Sequence, residues 1–146
     1  MKILWLSHLI PYPPKGGVLQ RSYNLVRQTA KYHDVYLLAF TQSDILRAMY
    51  KEVEKGQLEA MQVLQSFCKR VEFVPIPCEQ SLHGKQVLAL KSLFTKDPYT
   101  INWLKSDTMQ HKLDEWKNDT QFDLIHFDTI SLAPYRRSFP RTRVVL

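Results

Sequence analysis

The chain has 146 residues, which is the size of one ordinary domain. Its composition of 45% hydrophobic, 12% aromatic and 23% charged residues is typical of a chain that buries a core, and it excludes disordered, collagen-like and coiled-coil classes. Twenty Lys and Arg against 14 Asp and Glu give a net charge of +6, which favours anionic partners such as phosphates, nucleic acid or an anionic membrane surface.

The sequence disfavours several sites and locations. No stretch approaches the ~20 apolar residues of a membrane span, and MKILWLSHL passes too soon into PYPPKGG to be a signal peptide, so a soluble cytoplasmic protein is expected. The basic residues form no dense run, and no nucleic-acid-binding motif occurs, so we expect no nucleic-acid partner. Cys68 and Cys78 lack CxxC spacing or a nearby His pair, which indicates inert thiols. We predict no metal site and no cofactor.

The N-terminal part of the chain reads as a strand, a loop and a helix. The apolar run Lys2–Ser7 is typical of a strand buried on both faces. Three prolines then forbid regular structure, and the pair Gly16-Gly17 permits positive φ or close backbone approach. From Val18 to Tyr32, apolar residues recur with a helical period. The pattern therefore predicts an amphipathic helix that opens at the glycines.

The next segment predicts two further strands around a broken helix. Asp34–Phe40 is a second strand, and Thr41 with Asp44 resembles the capping box that begins a helix. Gly56 is expected to break or kink that helix. Val71–Ile76 follows as a third strand.

The second half continues the alternation. A helix is predicted from about Ser81 to Phe94, and TKDPYT is a break. A further helix carries the apolar stripe Met109, Leu113 and Trp116. Phe122–Phe127 is the fourth strand and Ile130–Arg136 a short helical piece. The final RVVL, from Arg143, reads as a fifth strand.

Alternation of apolar strands with helices predicts an α/β fold with a parallel sheet. Right-handed crossovers give the order 3-2-1-4-5, a Rossmann-like doubly wound sheet. Ligands of such sheets bind beyond the carboxyl ends of the strands where the winding reverses, here at the loops 7–17 and 128–131. Neither GxGxxG nor GxxxxGK[ST] is present. A glycine turn that only lets the helix pack is therefore an equal alternative to a ligand-binding loop.

Two segments carry a resemblance to a known family. KILWLSHLIPYPPKGGVLQRSYNLVRQTAKYHDVYLLAF resembles the start of GT-B glycosyltransferases of the family 4 type, and FDLIHFDTISLAPY resembles a later strand of that family. The resemblance implies a retaining enzyme that moves a sugar from a nucleotide-sugar donor to an acceptor. It also implies that this Rossmann-like domain holds mainly the acceptor.

The resemblance also sets the expected domain organisation. Family members carry a second Rossmann-like domain that binds the nucleotide and supplies catalytic carboxylates, and nothing in residues 1–146 resembles it. Further strands of the first domain are expected after the one that begins at Arg143. We therefore expect residues 1–146 to be a truncated N-terminal acceptor-side domain, inactive alone.

The positions that match the family motif imply substrate-binding roles for the glycine pair and for the helix that follows it. Gly16 and Gly17 match the family loop that faces the donor diphosphate and the reacting centre. Arg21, one turn into the helix, could reach an anionic acceptor or a phosphate, although an exposed helical Arg is more often a solvated charge.

The other candidates follow the first and fourth strands. Asp128 is the predicted catalytic residue, because its carboxylate could accept a proton or orient an acceptor hydroxyl; its alternative role is an N-cap. Thr129 is a predicted substrate-binding residue that could cap the helix instead. His8, at the same edge, is a candidate for acceptor contact. His126 is interpreted as a hydrogen-bonded core histidine.

The implied partners are a nucleotide-sugar donor, bound mainly by the missing domain, and a glycan or lipid-linked acceptor. Because the chain is positively charged, peripheral contact with the inner face of the membrane is a further expectation. The alternative from another class is a stand-alone, non-catalytic α/β interaction module. The uncovered apolar strand RVVL instead favours truncation or dimerisation through that edge. A nucleotide-cofactor oxidoreductase is a weaker interpretation, because Phe40-Thr41-Gln42 replaces the acidic residue expected after the second strand.

Overall fold

A five-stranded, all-parallel sheet forms the centre of the molecule. The computed structural model describes residues 1–50 and 52–146. The strands are β1 (Lys2–Ser7), β2 (Asp34–Thr41), β3 (Arg70–Pro75), β4 (Leu124–Phe127) and β5 (Arg143–Val145). They lie in the order β3-β2-β1-β4-β5, and each neighbouring pair is parallel. The predicted fold class and strand order are confirmed.

Helices cover both faces of this sheet. They are α1 (Gly17–Ala30), α2 (Ser43–Met49), α3 (Val53–Gln65), α4 (Gly84–Ser92), α5 (Tyr99–Trp103) and α6 (Asp107–Asp119), with 3₁₀ segments at Pro77–Glu79 and Ile130–Ser138. α1, α2 and α3 bury Val26, Leu46 and Leu64 in one core. α6 and the second 3₁₀ segment bury Trp116 and Leu132 in the other core. The winding is therefore double, as predicted from right-handed crossovers.

The apolar run of β1 explains its central place. Leu4 and Leu6 are fully buried against the α6 side, while Trp5 is buried against the α1 side. Alternate side chains of a strand point to opposite faces, so a strand that is apolar at every position satisfies both cores. In the residues that the structure describes, no helix has the length and apolarity needed to cross a bilayer.

Two local predictions about the first broken helix are wrong. Thr41 does not cap a helix, because it is the last residue of β2 and pairs with Pro75; α2 instead begins after Gln42, without a side-chain cap. Gly56 does not interrupt a helix, because it lies buried inside α3. A Cβ at Gly56 would come within 2.5 Å of the Tyr50 ring. The glycine therefore makes room for that ring rather than ending the helix.

Boundaries differ elsewhere by a few residues. α4 begins at Gly84, three residues later than predicted, and ends at Ser92. The segment interpreted as a break contains Pro98, which is the N-cap of the short helix α5. Proline tolerates that position because the first N–H groups of a helix lack intrahelical partners.

Candidate functional site

The ends of β1 and β4 meet where the strand order reverses. Leu6 pairs with Phe127, and the Asp128 N–H then donates to the Leu6 carbonyl over 3.0 Å. This register places Ser7 and His8 beside Asp128. The two loops predicted from the sequence to face one another therefore do so through specific side chains.

The Asp128 carboxylate is the centre of this cluster. Its Oδ2 accepts a hydrogen bond from Ser7 Oγ at 3.0 Å and from Ser22 Oγ, on α1, at 2.7 Å. His8 Nδ1 lies 3.5 Å from the same oxygen. Three polar groups from β1, its loop and α1 thus converge on one oxygen atom, which fixes the first helix against the strand ends.

The environment keeps this carboxyl group ionised. Its side chain is only 5% exposed, and burial raises the pKa of an acid. Contacts from His8, Ser22 and Ser7 outweigh that penalty and hold the pKa of Asp128 below its ordinary value of 3.8. Asp128 is therefore a buried, charged group whose free electron pairs are largely used inside the protein, which suits it to orient a neighbour.

His8 is the member of the cluster that reaches the surface. Its side chain is 21% exposed, while Nδ1 is buried and faces Asp128 without the alignment of a regular hydrogen bond. The accessible part of the ring is therefore on the Nε2 side. Gln42 Nε2 donates to the His8 carbonyl at 2.7 Å and holds the backbone of this residue to the start of α2.

The loop between β1 and α1 is anchored at one end and open at the other. Leu9 and Ile10 are buried, and the Tyr12 hydroxyl donates to Glu59 on α3 at 3.0 Å. From Pro14 to Val18 the chain is exposed. The predicted turn is therefore fixed in place while its glycine end faces solvent.

The glycine pair opens α1 as predicted. Gly16 is the N-cap and has φ +80°, a conformation that favours glycine. A Cβ built on Gly16 or Gly17 would meet nothing within 4 Å. Close packing of helix on sheet therefore does not require this pair. The open space over the first N–H groups of a 14-residue helix suits an anionic group.

The remaining predicted residues lie around this cluster in different environments. Arg21 is exposed, and its charge helps to lower the pKa of His126. Thr129 is the half-buried N-cap of the 3₁₀ segment, although its side chain makes no capping hydrogen bond. The alternative role of Asp128 as an N-cap is wrong, because its carboxylate bonds to Ser7 and Ser22 instead.

His126 is held differently from the prediction. Its ring stacks on Trp5, with centroids 3.7 Å apart and planes at 18°, and its buried Nδ1 makes no hydrogen bond within the described chain. Burial is the main cause that lowers the pKa of this imidazole; the nearby Asp128 charge opposes that shift. Stacking on a buried aromatic side chain therefore replaces the expected hydrogen bond.

Three residues of the cluster were missed from the sequence: Ser7, Ser22 and Gln42. Ser22 carries a usable signal, because it lies with Leu19 and Val26 on the buried stripe of α1. A hydroxyl on the apolar face of a helix needs a partner in the core. Gln42 gives no such signal, since its bond to His8 depends on how the two loops meet.

No metal site is apparent in residues 1–50 and 52–146, where no three His, Cys, Asp or Glu side chains are grouped to hold an ion. No family model, no curated protein and no solved structure matches the chain. The functional interpretation therefore depends on the fold, the geometry of this cluster and the motif resemblance.

Proposed function

We propose that this chain is the acceptor-side domain of a glycosyltransferase, in which His8 binds and orients an acceptor hydroxyl. The observation that carries the proposal is the contact of His8 with the buried Asp128 carboxylate at the crevice where the strand order reverses. Crevices of this kind are where doubly wound sheets bind their ligands.

The geometry gives each of the two residues a distinct role. A carboxylate facing Nδ1 favours the imidazole tautomer with its proton on Nδ1, which leaves a lone pair on Nε2 at the accessible side. Nε2 can then accept a hydrogen bond from a sugar or lipid-linked hydroxyl. Asp128 acts through His8 as a positioning residue, rather than by contact with the acceptor.

The start of α1 supplies the second part of the proposed site. Its first N–H groups lack intrahelical partners and lie at the positive end of the helix dipole. Because Ser22 ties α1 to Asp128, this helix start is held at the same crevice as His8. A donor diphosphate placed there would face the acceptor, as the family resemblance implies for Gly16 and Gly17.

Orientation is the chemical contribution that such a half-site makes. Holding an acceptor hydroxyl against an anomeric carbon can be worth ~7–11 kcal/mol of a reaction barrier when the alignment is good. That gain needs a second domain to hold the sugar donor. The 146-residue chain alone is therefore expected to bind a glycoside weakly, to bind a nucleotide-sugar hardly at all, and not to catalyse transfer.

Amide-detected NMR titrations of the chain test this proposal. The probes are methyl α-glucoside, methyl α-mannoside and UDP-glucose, each added to millimolar concentration. We expect a methyl glycoside to shift the amides of residues 7–9 and 128–129, and His8→Ala to remove those shifts. The matched control is His111→Ala, since His111 is an exposed histidine on α6.

Two outcomes would contradict the proposal. Micromolar binding of UDP-glucose by this chain would assign it the donor side. A folded spectrum that no glycoside shifts would instead favour the non-catalytic interaction module.

A further inference from the structure

α4 turns its apolar side chains to solvent. It contains no buried residue, and exposed large apolar side chains follow one another along it and its two ends: Leu82, Val87, Leu90, Leu93 and Phe94. Leu93 is 78% exposed and Phe94 is 85% exposed. We call these five residues the apolar surface. Contiguous exposed patches of this kind mark interaction sites.

The helical period gives three of these side chains one direction. Val87, Leu90 and Phe94 are spaced i, i+3 and i+7, which places them on one face of a helix that continues past Ser92 as a turn. An ordinary surface helix would pack such a stripe on the core. Here Leu88, on the opposite side, is half-buried instead.

A buried side chain fixes the tip of the apolar surface. The Nδ2 group of Asn102, on α5, donates to the hydroxyls of Ser92 at 3.1 Å and Thr95 at 2.8 Å and to the Asp97 carbonyl at 3.0 Å. Asn102 is 9% exposed. The turn that carries Phe94 is therefore held in one conformation by the fold while its ring is exposed.

The charge of this segment is of one sign. Residues 81–96 contain Lys85, Lys91 and Lys96 and no Asp or Glu, and the adjacent Asp97 is paired with Lys105 at 2.7 Å. Lys85 pairs with Asp44 at 2.5 Å and contacts Glu79 at 3.2 Å. Within residues 1–50 and 52–146, neither Lys91 nor Lys96 makes an ion pair. Two cations therefore flank the exposed apolar stripe.

We propose that the apolar surface docks on a bilayer that contains anionic lipids, with Leu93 and Phe94 in the acyl boundary and Lys91 and Lys96 at the headgroups. Amphipathic helices that lie in a membrane interface combine a basic flank with Leu and Phe in this way. Lysine is depleted in protein–protein interfaces, so the same composition disfavours a protein partner.

The surface lies on the same edge of the sheet as the candidate site. α4 packs against the 3₁₀ segment that follows β3, and α5 packs against the one that follows β4. Docking would therefore bring the carboxyl edge of the sheet near the membrane. The membrane proposal does not rest on the proposed sugar transfer, because it follows from α4 and its charges alone.

Vesicle co-sedimentation of the full chain tests the proposal. We expect binding to vesicles of 70% phosphatidylcholine and 30% phosphatidylglycerol, weaker binding in 0.5 M salt, and little binding to phosphatidylcholine alone. Lys91→Gln with Lys96→Gln should lower the partition coefficient on the order of 25-fold, about fivefold for each lysine. Leu93→Ser with Phe94→Ser should lower it at least about tenfold.

Matched variants separate docking from general changes in charge or hydrophobicity. Leu58→Ser removes an exposed leucine from α3, and Lys31→Gln with Lys117→Gln removes two exposed lysines elsewhere; these variants should bind as the wild type does. A tryptophan introduced by Phe94→Trp should be quenched by brominated acyl chains, whereas one introduced by Leu58→Trp should not.

Clear results would overturn the proposal. One is that the wild type does not bind anionic vesicles, and another is that the Leu93→Ser/Phe94→Ser variant binds them as the wild type does. A third is that the wild type forms a concentration-dependent dimer, which this variant abolishes, and does not bind vesicles. The last result would assign the apolar surface to a second copy of the chain. Because the readout is lipid binding, it is independent of the glycoside titration.

Discussion

Replacement of Asp128 by asparagine tests whether its charge holds the site together. The Oδ2 atom accepts two serine hydroxyls, at 2.7 and 3.0 Å, and hydrogen bonds to a charged group contribute ~1.5–3 kcal/mol each. An asparagine oxygen in the same place can accept both hydroxyls through its two lone pairs, but it lacks the charge, so each bond falls to the ~0.5–1.5 kcal/mol of a neutral pair. We therefore expect Asp128→Asn to lower the free energy of unfolding by about 2–3 kcal/mol at pH 7.

The pH dependence of this difference distinguishes charge from packing. The folded-state pKa of Asp128 lies below the ordinary value of 3.8, so its stabilising contribution is complete above that value and is lost as the pH falls through the folded pKa. Urea denaturation of both proteins should give a difference in the free energy of unfolding that shrinks below about pH 4. His8 and His126 face the carboxylate, and loss of the Asp128 charge removes the interaction that opposes the lowered pKa of His126, so the comparison is read below about pH 5.

A second carboxylate provides the control. Asp123 is exposed just before β4 and accepts the Lys2 N–H at 2.7 Å, so Asp123→Asn should change stability by less than about 1 kcal/mol. If Asp128→Asn costs no more than this control, or if its cost stays unchanged down to pH 3, the carboxylate does not act through its charge and the reasoning fails.

Three further predictions concern one face of the core. Gly56→Ala should gain about 1 kcal/mol of helix propensity but lose ~1–3 kcal/mol by displacing the Tyr50 ring. Chemical denaturation should therefore show no increase in the free energy of unfolding. The same change in a Tyr50→Ala background should increase it. The pKa of His126 is lowered, so the free energy of unfolding should fall as the pH drops below about 6.5. The fall should be smaller in His126→Phe, which keeps the aromatic stack on Trp5. Identical pH profiles of the two proteins would refute this prediction. Burial raises the pKa of Cys68 to about 12. In the Cys78→Ala variant, a thiol reagent should therefore modify Cys68 only after unfolding. Rapid labelling of Cys68 in the native variant would contradict this prediction.

Much of the fold follows from local patterns. The apolar run of β1 requires two covered faces, and the spacing of Leu19 and Val26 requires one. The central place of β1 and the first helix therefore follow from burial, whereas the order of the other strands follows from right-handed crossovers. Gly56 shows where this reasoning ends. Helix propensity is a local average, whereas the need for a glycine at this position of α3 depends on the Tyr50 ring that lies against it.

The candidate site was predictable as a place, but not as a set of contacts. The topology puts the loops after β1 and β4 together, so His8 and Asp128 could be named from the sequence. The contact between them could not be predicted, because the 3.5 Å distance from His8 Nδ1 to Asp128 Oδ2 depends on strand register and on the angle at which α1 leaves its glycines. The role of Ser22 as a donor to Asp128 depends on the same angle.

The tautomer of His8 is the measurement that tests the central claim most directly. Long-range ¹H–¹⁵N spectra of the histidine rings, assigned with His8→Gln, report which nitrogen carries the proton of the neutral ring. We predict a proton on Nδ1 facing Asp128 and an unprotonated Nε2, with the other tautomer gaining population in Asp128→Asn. A wild-type His8 protonated on Nε2, and unchanged by Asp128→Asn, would contradict the proposed site.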